Sequence, residues 1–432
     1  GMSDSDFTAR RRLEQLPSEE LEALQLQRLN ALLEEILPEN RFYQAKLSSF
    51  SFPLDSLERL CELPFTTKAE LTAGMNDQNI SANITYSFDR YIRFHRTSGT
   101  HGKPLAVLDT AKDWEWWINT WQFVLDAAQL DDTDRALMAF SFGPFIGFWS
   151  AYDASIERGC LVIPTGGLSS VARLSLIRDH AVTAVFCTPS YALRLAEIAA
   201  EHDMEIASWD VKRIVVAGEP GGSLPTIRKR IESLWCAEVI DHSGASEIGP
   251  WGYGDSQGAG LHVVESEFLA EFLVPETDTP AEPGTLSELV LTTLGRHGSP
   301  LIRYRTGDLV QPHRFEQGPN HFVFLKGGVL GRADDMMVIR GINIFPSSVE
   351  EILRRFPEIV EFRLTASRQG AMDKVTVEIE DLRQEPERVA AELQLQLGLR
   401  VDVSCVPIQS LPRFEGKAKR FIDLRNEPNK LS

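Results

Sequence analysis

The chain is short of cysteine, of basic charge and of long apolar runs, and each shortage narrows what it can be. Its five cysteines, Cys61, Cys160, Cys187, Cys236 and Cys405, are scattered, odd in number and form no CxxC pair. That argues against a disulfide framework and for a reducing compartment, with the thiols read as small core-filling residues. Lys and Arg number 44 against 62 Asp and Glu, a formal net charge of −18. This argues against nucleic acid as a partner, because affinity for a phosphate backbone needs basic surface. A single nucleotide needs only a few local donors and stays open. No apolar stretch approaches the roughly 20 residues of a membrane span. His95, His101, His242 and His262 are separated and have no cysteine beside them, a poor basis for a zinc site. The first residues, GMSDSDFTARRR, lack a signal peptide's hydrophobic stretch, and Gly1 before Met2 reads as a tag-cleavage remnant. A cytoplasmic protein is the expectation.

What is present suggests two folding units. At 432 residues the chain exceeds what one compact core organises. Leucines at mixed three- and four-residue spacing over 17–47 predict an amphipathic helix, ended by Pro38. From about 92 to 310 short β-branched runs alternate with helical patterns, as in AVFCTP (184–189) and IVVAG (214–218). Such alternation predicts an α/β layered core. A boundary falls near GRADDMMVIRG (331–341), giving a large domain over 1–333 and a small α+β unit over 334–432. In the small unit Ser347 and Glu350 have capping-box spacing for a helix running through Phe356. Strand-like runs follow at 360–367 and 374–380, then a helix near 385–397 and a strand at 400–406.

The sharpest local signal is RTSGTHGKPLAV (96–107). Gly99 and Gly102 permit close backbone approach, so successive N–H groups can face one anion. Thr97, Ser98 and Thr100 add hydroxyls, and Lys103 adds a point charge. The Walker spacing is absent, and LAVLD after Pro104 reads as a strand. A hairpin-like phosphate loop fits these residues. A turn whose glycines only satisfy geometry fits them too.

Other segments give that loop a context. AGEPGG (217–222), HSGASEIGP (242–250), LIRYRTGDL (301–309), GRADDMMVIRGINIFPSSVEEIL (331–353) and LPRFEGKAKRFID (411–423) follow it in order. Together with LPFTTKAEL (63–71), they resemble the motifs of adenylate-forming enzymes of the phenylacetate–coenzyme A ligase branch. The resemblance implies ATP, Mg²⁺ and coenzyme A as the small molecules used, with a carboxylic acid as substrate. It implies a mobile C-terminal domain and makes Lys417 the adenylation lysine, against the plain reading of a solvated lysine in a basic tail. Glu247 becomes a catalytic residue and the Mg²⁺ ligand, or otherwise an acid opening a helix. Asp308 becomes the ribose acceptor, or otherwise a turn residue after Gly307. The resemblance places Thr97, Ser98, Gly99, Thr100, His101, Gly102 and Lys103 on the phosphates. Gly218, Glu219, Pro220, Asp241, His242 and Ser243 fall around the rest of the nucleotide. Arg332 reaches phosphate or ribose, Asp334 is the hinge, and the Arg340–Asn343 stretch faces the acceptor after rotation. Two positions depart from the pattern. Ser243 stands where an aromatic residue stacks on adenine, and His101 stands where threonine is usual, either donating to phosphate or facing solvent.

AFSFGPFIGFWSAYD (139–153) corresponds to the acyl-pocket stretch, so Phe140, Phe142, Phe145, Ile146 and Trp149, with Gly244, would form an apolar wall for an aryl or arylalkyl acid. The alternative is an aromatic-rich core helix. No basic residue lies there to pair a second carboxylate. Trp114, Trp117 and Trp121 share a helical face and are expected to be buried. Two rival functions stand beside this reading: transfer of the acyl group to a carrier protein or amine, and a binding-only homologue. Retention of Lys103, Glu247, Asp308 and Lys417 argues against the second. A homodimer is expected by resemblance alone.

Overall fold

Between residues 184 and 245 the chain repeats one local event: a short buried run, a capped turn, then a helix. The strand Ala184–Cys187 is buried throughout, and Thr188 follows it with its hydroxyl accepting from the Tyr191 N–H. Pro189 sits at the first helical position, where a missing N–H costs nothing, and the helix Pro189–Glu201 follows. The strand Arg213–Val216 leads in the same way to the helix Pro225–Trp235 and the strand Glu238–Ala245. These strands pair in parallel with each other and with Arg135–Met138 and Leu161–Pro164. The sheet continues antiparallel through Gly249–Tyr253, Gly260–Val263, Phe324–Lys326 and Pro312–His313, making nine strands.

This computed structural model describes residues 4–75, 78–97, 104–140, 146, 148–415 and 418–425. Parallel pairing fixes where the motifs go. The segments beginning at 139, 188 and 217 leave the carboxyl ends of neighbouring parallel strands, and the one beginning at 242 follows the parallel-paired part, 238–241, of the next. Open α/β sheets bind their ligands at that edge. A second sheet joins Phe268–Leu273, Ser287–Thr293, Tyr304–Val310 and Gly331–Arg332. The helix Ala111–Ala127 starts at a capping box between Thr110 and Asp113 and buries Trp114, Trp117 and Trp121, as their spacing predicts.

Residues 337–401 build a separate apolar cluster, with Val349, Leu353, Phe362, Leu364, Val377, Ile379 and Leu393 fully buried. Its sheet runs Asp402–Cys405, Met372–Asp381, Ile359–Gln369, Phe421–Asp423, close to the predicted α+β pattern. No helix among the described residues is long and apolar enough to cross a membrane.

Three sequence readings need correction. The Ser347–Glu350 capping box does not form, because Pro346 opens the helix Pro346–Leu353 and leaves Ser347 inside its first turn. Ser347 instead donates to the Leu330 carbonyl, and Glu350 faces Arg354 and Arg420, each at 3.6 Å. The core-filling reading fails for Cys61 and Cys236, which are exposed. Cys236 caps the helix Pro225–Trp235 in the left-handed conformation, at φ 52°. Last, a helix Asp4–Glu14 was not anticipated; Arg10 ties it to Asp126 at 2.6 and 2.9 Å.

Candidate active site

The turn after Val216 is laid directly on the end of the next strand. Gly218 adopts φ 96°, and a Cβ on Gly222 would fall 2.6 Å from Asp241 Oδ1, so the close approach requires glycine. Gly218 is exposed, and Glu219 and Pro220 are partly buried. Asp241 accepts from Ser223 Oγ at 2.6 Å and from the His242 N–H at 3.0 Å, and burial pushes its carboxyl up to about 7. His242 is enclosed: its Nδ1–H donates to the Gly252 carbonyl at 2.8 Å, and its ring lies 4.1 Å from Trp121. Desolvation lowers its pKa to about 3, so the ring is neutral at physiological pH. Its side chain belongs to the wall behind the site, whereas Ser243 is partly buried and Gly244 exposed.

Glu247 occupies the turn between the strands Glu238–Ala245 and Gly249–Tyr253. Its carboxylate is half-buried, and no hydrogen bond or ion pair engages it among the described residues. The turn is held from below. Arg296 donates to the Ser246 carbonyl at 2.8 Å and forms two 2.8 Å bonds to Asp109, both side chains being fully buried. Nothing in the sequence motifs pointed to this pair, since Asp109 and Arg296 lie 187 residues apart.

Asp308 and Arg332 face each other in antiparallel register, with Arg332 Nη1 3.4 Å from Asp308 Oδ1. Arg332 also donates to the Thr306 carbonyl at 3.2 Å and to Asp334 Oδ1 at 3.1 Å. Gly307, at φ 75°, leaves room for that guanidinium. Three predicted site residues therefore form one charged chain. Tyr304, inside LIRYRTGDL, is buried nearby: burial first, then the charges of Glu247 and Asp308, push its phenol up, with Arg332 acting against them.

Glu219 does something the motif did not suggest. One carboxylate oxygen accepts from the Ser190 N–H at 2.7 Å and the other from the Ala418 N–H at 2.9 Å. Ala418 follows Lys417 in the chain, so the turn at 217–222 holds the C-terminal lysine segment. Lys417 itself lies outside the described residues. So do Ser98, Gly99, Thr100, His101, Gly102 and Lys103, but their flanks form the expected hairpin. Tyr91–Arg96 pairs antiparallel with Ala106–Thr110, and Thr97, buried, closes it against Leu105 at 3.0 Å. Phe142 and Phe145 are likewise outside. Phe140, Ile146 and Trp149 are partly buried against the main core, with Phe140 packed 5.1 Å from Phe148. The helix there, Trp149–Arg158, begins only after most of the aromatic stretch.

Residues 91–266 match the AMP-binding enzyme family, and residues 341–425 match the AMP-binding enzyme C-terminal domain. The phenylacetate-coenzyme A ligase of Escherichia coli (strain K12) is 32% identical over 430 residues, covering 94% of this chain and 96% of that protein. A solved 2-hydroxyisobutyryl-CoA ligase in its postadenylation state is 26% identical, with a TM-score of 0.89 over 95% of this chain and 91% of that one. The same ligase in its thioesterification state gives a TM-score of 0.71 at 27% identity, over 96% and 92%. The chain belongs to the phenylacetate–coenzyme A ligase family of adenylate-forming enzymes, and is an AMP-forming acid–thiol ligase.

Proposed function

We propose that the chain activates an aryl or arylalkyl carboxylic acid with ATP and passes the acyl group from the adenylate to coenzyme A. The observation that carries this reading is the set of contacts among residues distant in sequence. Asp241 is bound by Ser223 at the end of the parallel strands, Asp308 pairs with Arg332 on the second sheet, and Glu219 grips the backbone beside Lys417. A carboxylate is a poor electrophile until its oxygen is joined to a good leaving group. Attack on the ATP α-phosphate with departure of pyrophosphate does this, and leaves the protein to position and neutralise.

In this reading Asp308 accepts from the ribose hydroxyls, and Arg332 holds that carboxylate in place and reaches a phosphate. The turn at 217–222 and residues 241–244 border the base, and the loop at 97–103 cradles phosphate. Lys417 bridges the acid and the α-phosphate oxygens. Glu247 is the residue that would hold Mg²⁺. A half-buried carboxylate without a protein partner suits a hard cation that takes its other ligands from phosphate and water. When bound, the ion neutralises phosphate charge. The half-buried Phe140, Ile146 and Trp149 supply an apolar border of the kind an aromatic acid needs. A cytoplasmic location and a homodimer belong to this proposal as well.

Pyrophosphate–ATP exchange over a panel of carboxylic acids tests the reading. Exchange with aromatic acids, and thioester formation when coenzyme A is added, are the expected results. No exchange with any acid sinks it, and exchange without thioester points to another acceptor. Lys417→Ala should lower exchange by about a hundred- to thousandfold, as loss of a transition-state donor does. Thioester formation from supplied acyl-adenylate should survive. If both half-reactions persist, Lys417 does not have the assigned role.

A further inference from the structure

On the helix Pro189–Glu201, Ser190, Glu197 and Glu201 stand at offsets of seven and eleven. At 100° per residue these fall within about 40° of one another, a single stripe along the helix. Every one of them meets the segment that contains Lys417. Gln409 Nε2 donates to Glu201 at 2.8 Å, Arg413 Nε donates to Glu197 at 3.2 Å, and Arg420 Nη1 donates to Ser190 Oγ at 2.8 Å. As the numbers rise on one side they fall on the other, so the segment lies antiparallel along the helix. Arg173 adds a longer contact to Glu415 at 3.8 Å, and Glu219 takes the Ala418 N–H at the helix's N-terminal end.

The partners on the segment are themselves held in the C-terminal unit. Arg413 makes two bonds to Glu380 at 2.7 and 2.8 Å, and Arg420 pairs with Glu361 at 2.5 Å. The stripe therefore grips a braced segment, not a loose tail. Glu197 also sits between two cations, accepting from Arg194 at 2.7 Å as well as from Arg413. Losing its charge would leave those two arginines facing each other.

We infer that this stripe is a docking rail: Ser190, Glu197 and Glu201 are positioning residues that seat the lysine segment for adenylation and release it for thioester formation. The inference rests on the functional reading above, in which Lys417 serves the first half-reaction only. It goes further by naming what holds the lysine segment in register, on residues to which the functional reading gives no contact with nucleotide or acid. The whole-chain likeness to a postadenylation state, and the weaker one to a thioesterification state, agree with a rail made in one arrangement.

The test uses the full-length chain with Glu197→Lys combined with Glu201→Lys, both replacements being on the helix surface. Exchange with phenylacetate, or with whichever panel acid the unaltered chain turns over, should fall on the order of tenfold, since exposed pairs are individually weak and reversal adds repulsion. Thioester formation from the supplied acyl-adenylate should hold or rise. Glu197→Asp with Glu201→Asp should restore most of the exchange. Equal loss in both half-reactions, or no loss in either, overturns the rail. Amide hydrogen exchange without any substrate separates this outcome from a failure of the functional reading. Residues 409–415 should exchange about tenfold faster in the Lys variant, with Ile359–Gln369 and Met372–Asp381 unchanged. Unaltered protection at 409–415 also overturns it.

Discussion

Asp241 and His242 are adjacent, both buried, and their titrations pull in opposite directions. Burial raises the Asp241 carboxyl to about 7, so the folded chain keeps a proton that the unfolded chain gives up near pH 4. Its contribution is most favourable below about pH 4 and is lost as pH rises through about 7. His242, lowered to about 3, works the other way: its contribution is complete above about pH 6.5 and is lost as pH falls. Asp241→Asn keeps an oxygen for Ser223 and the His242 N–H while removing the charge. The melting temperature of the nucleotide-free chain should therefore rise at pH 8 by several degrees, and by less at pH 5. An equal gain at both values would show that Asp241 does not titrate in this range. The motif placed Asp241 and His242 together, but their environments were not legible. Trp121, Gly252 and Ser223, which set them, come from three other stretches of chain.

At the scale of elements, local rules carried far. Thr188 with Pro189, and Thr110 with Asp113, start their helices as cap chemistry dictates, and buried β-branched runs became the parallel strands. Where two local rules competed, the spacing rule lost: Pro346 took the helix start and left Ser347 in the first turn, free to donate to Leu330. Local rules were silent on the Asp109–Arg296 pair, which joins the strand Ala106–Thr110 to the turn bearing Glu247. Removing one member of a buried pair strands the other charge. Arg296→Met should thus cost about 3–5 kcal/mol in denaturant unfolding and weaken ATP binding through the displaced turn. Adding Asp109→Leu should recover much of the stability without recovering the binding. If the double change restores both, the pair does not position Glu247.

For the whole molecule, the six motifs gave the order of parts, while the contacts between parts had to come from coordinates. Glu219 reads in sequence as a nucleotide-side residue, yet in the fold it bridges Ser190 and Ala418 across 199 residues of sequence from the latter. Rotation of the C-terminal unit about Asp334 remains the proposal. Asp334 is exposed and lies just past Arg332, where the chain leaves the second sheet. A proline there fixes one backbone angle. Asp334→Pro should slow thioester formation from acyl-adenylate by roughly tenfold or more while leaving pyrophosphate exchange within about threefold of the unaltered chain. Slowing of exchange alone would place the pivot elsewhere.

The stretch bearing Lys417 leaves the strand Asp402–Cys405 at one margin of its sheet and rejoins at Phe421–Asp423 on the opposite margin. Both ends of the stretch are thus tied to the same slab. Under the proposed rotation the slab carries the lysine with it, so the two half-reactions become two settings of one interlock instead of points on a dimmer.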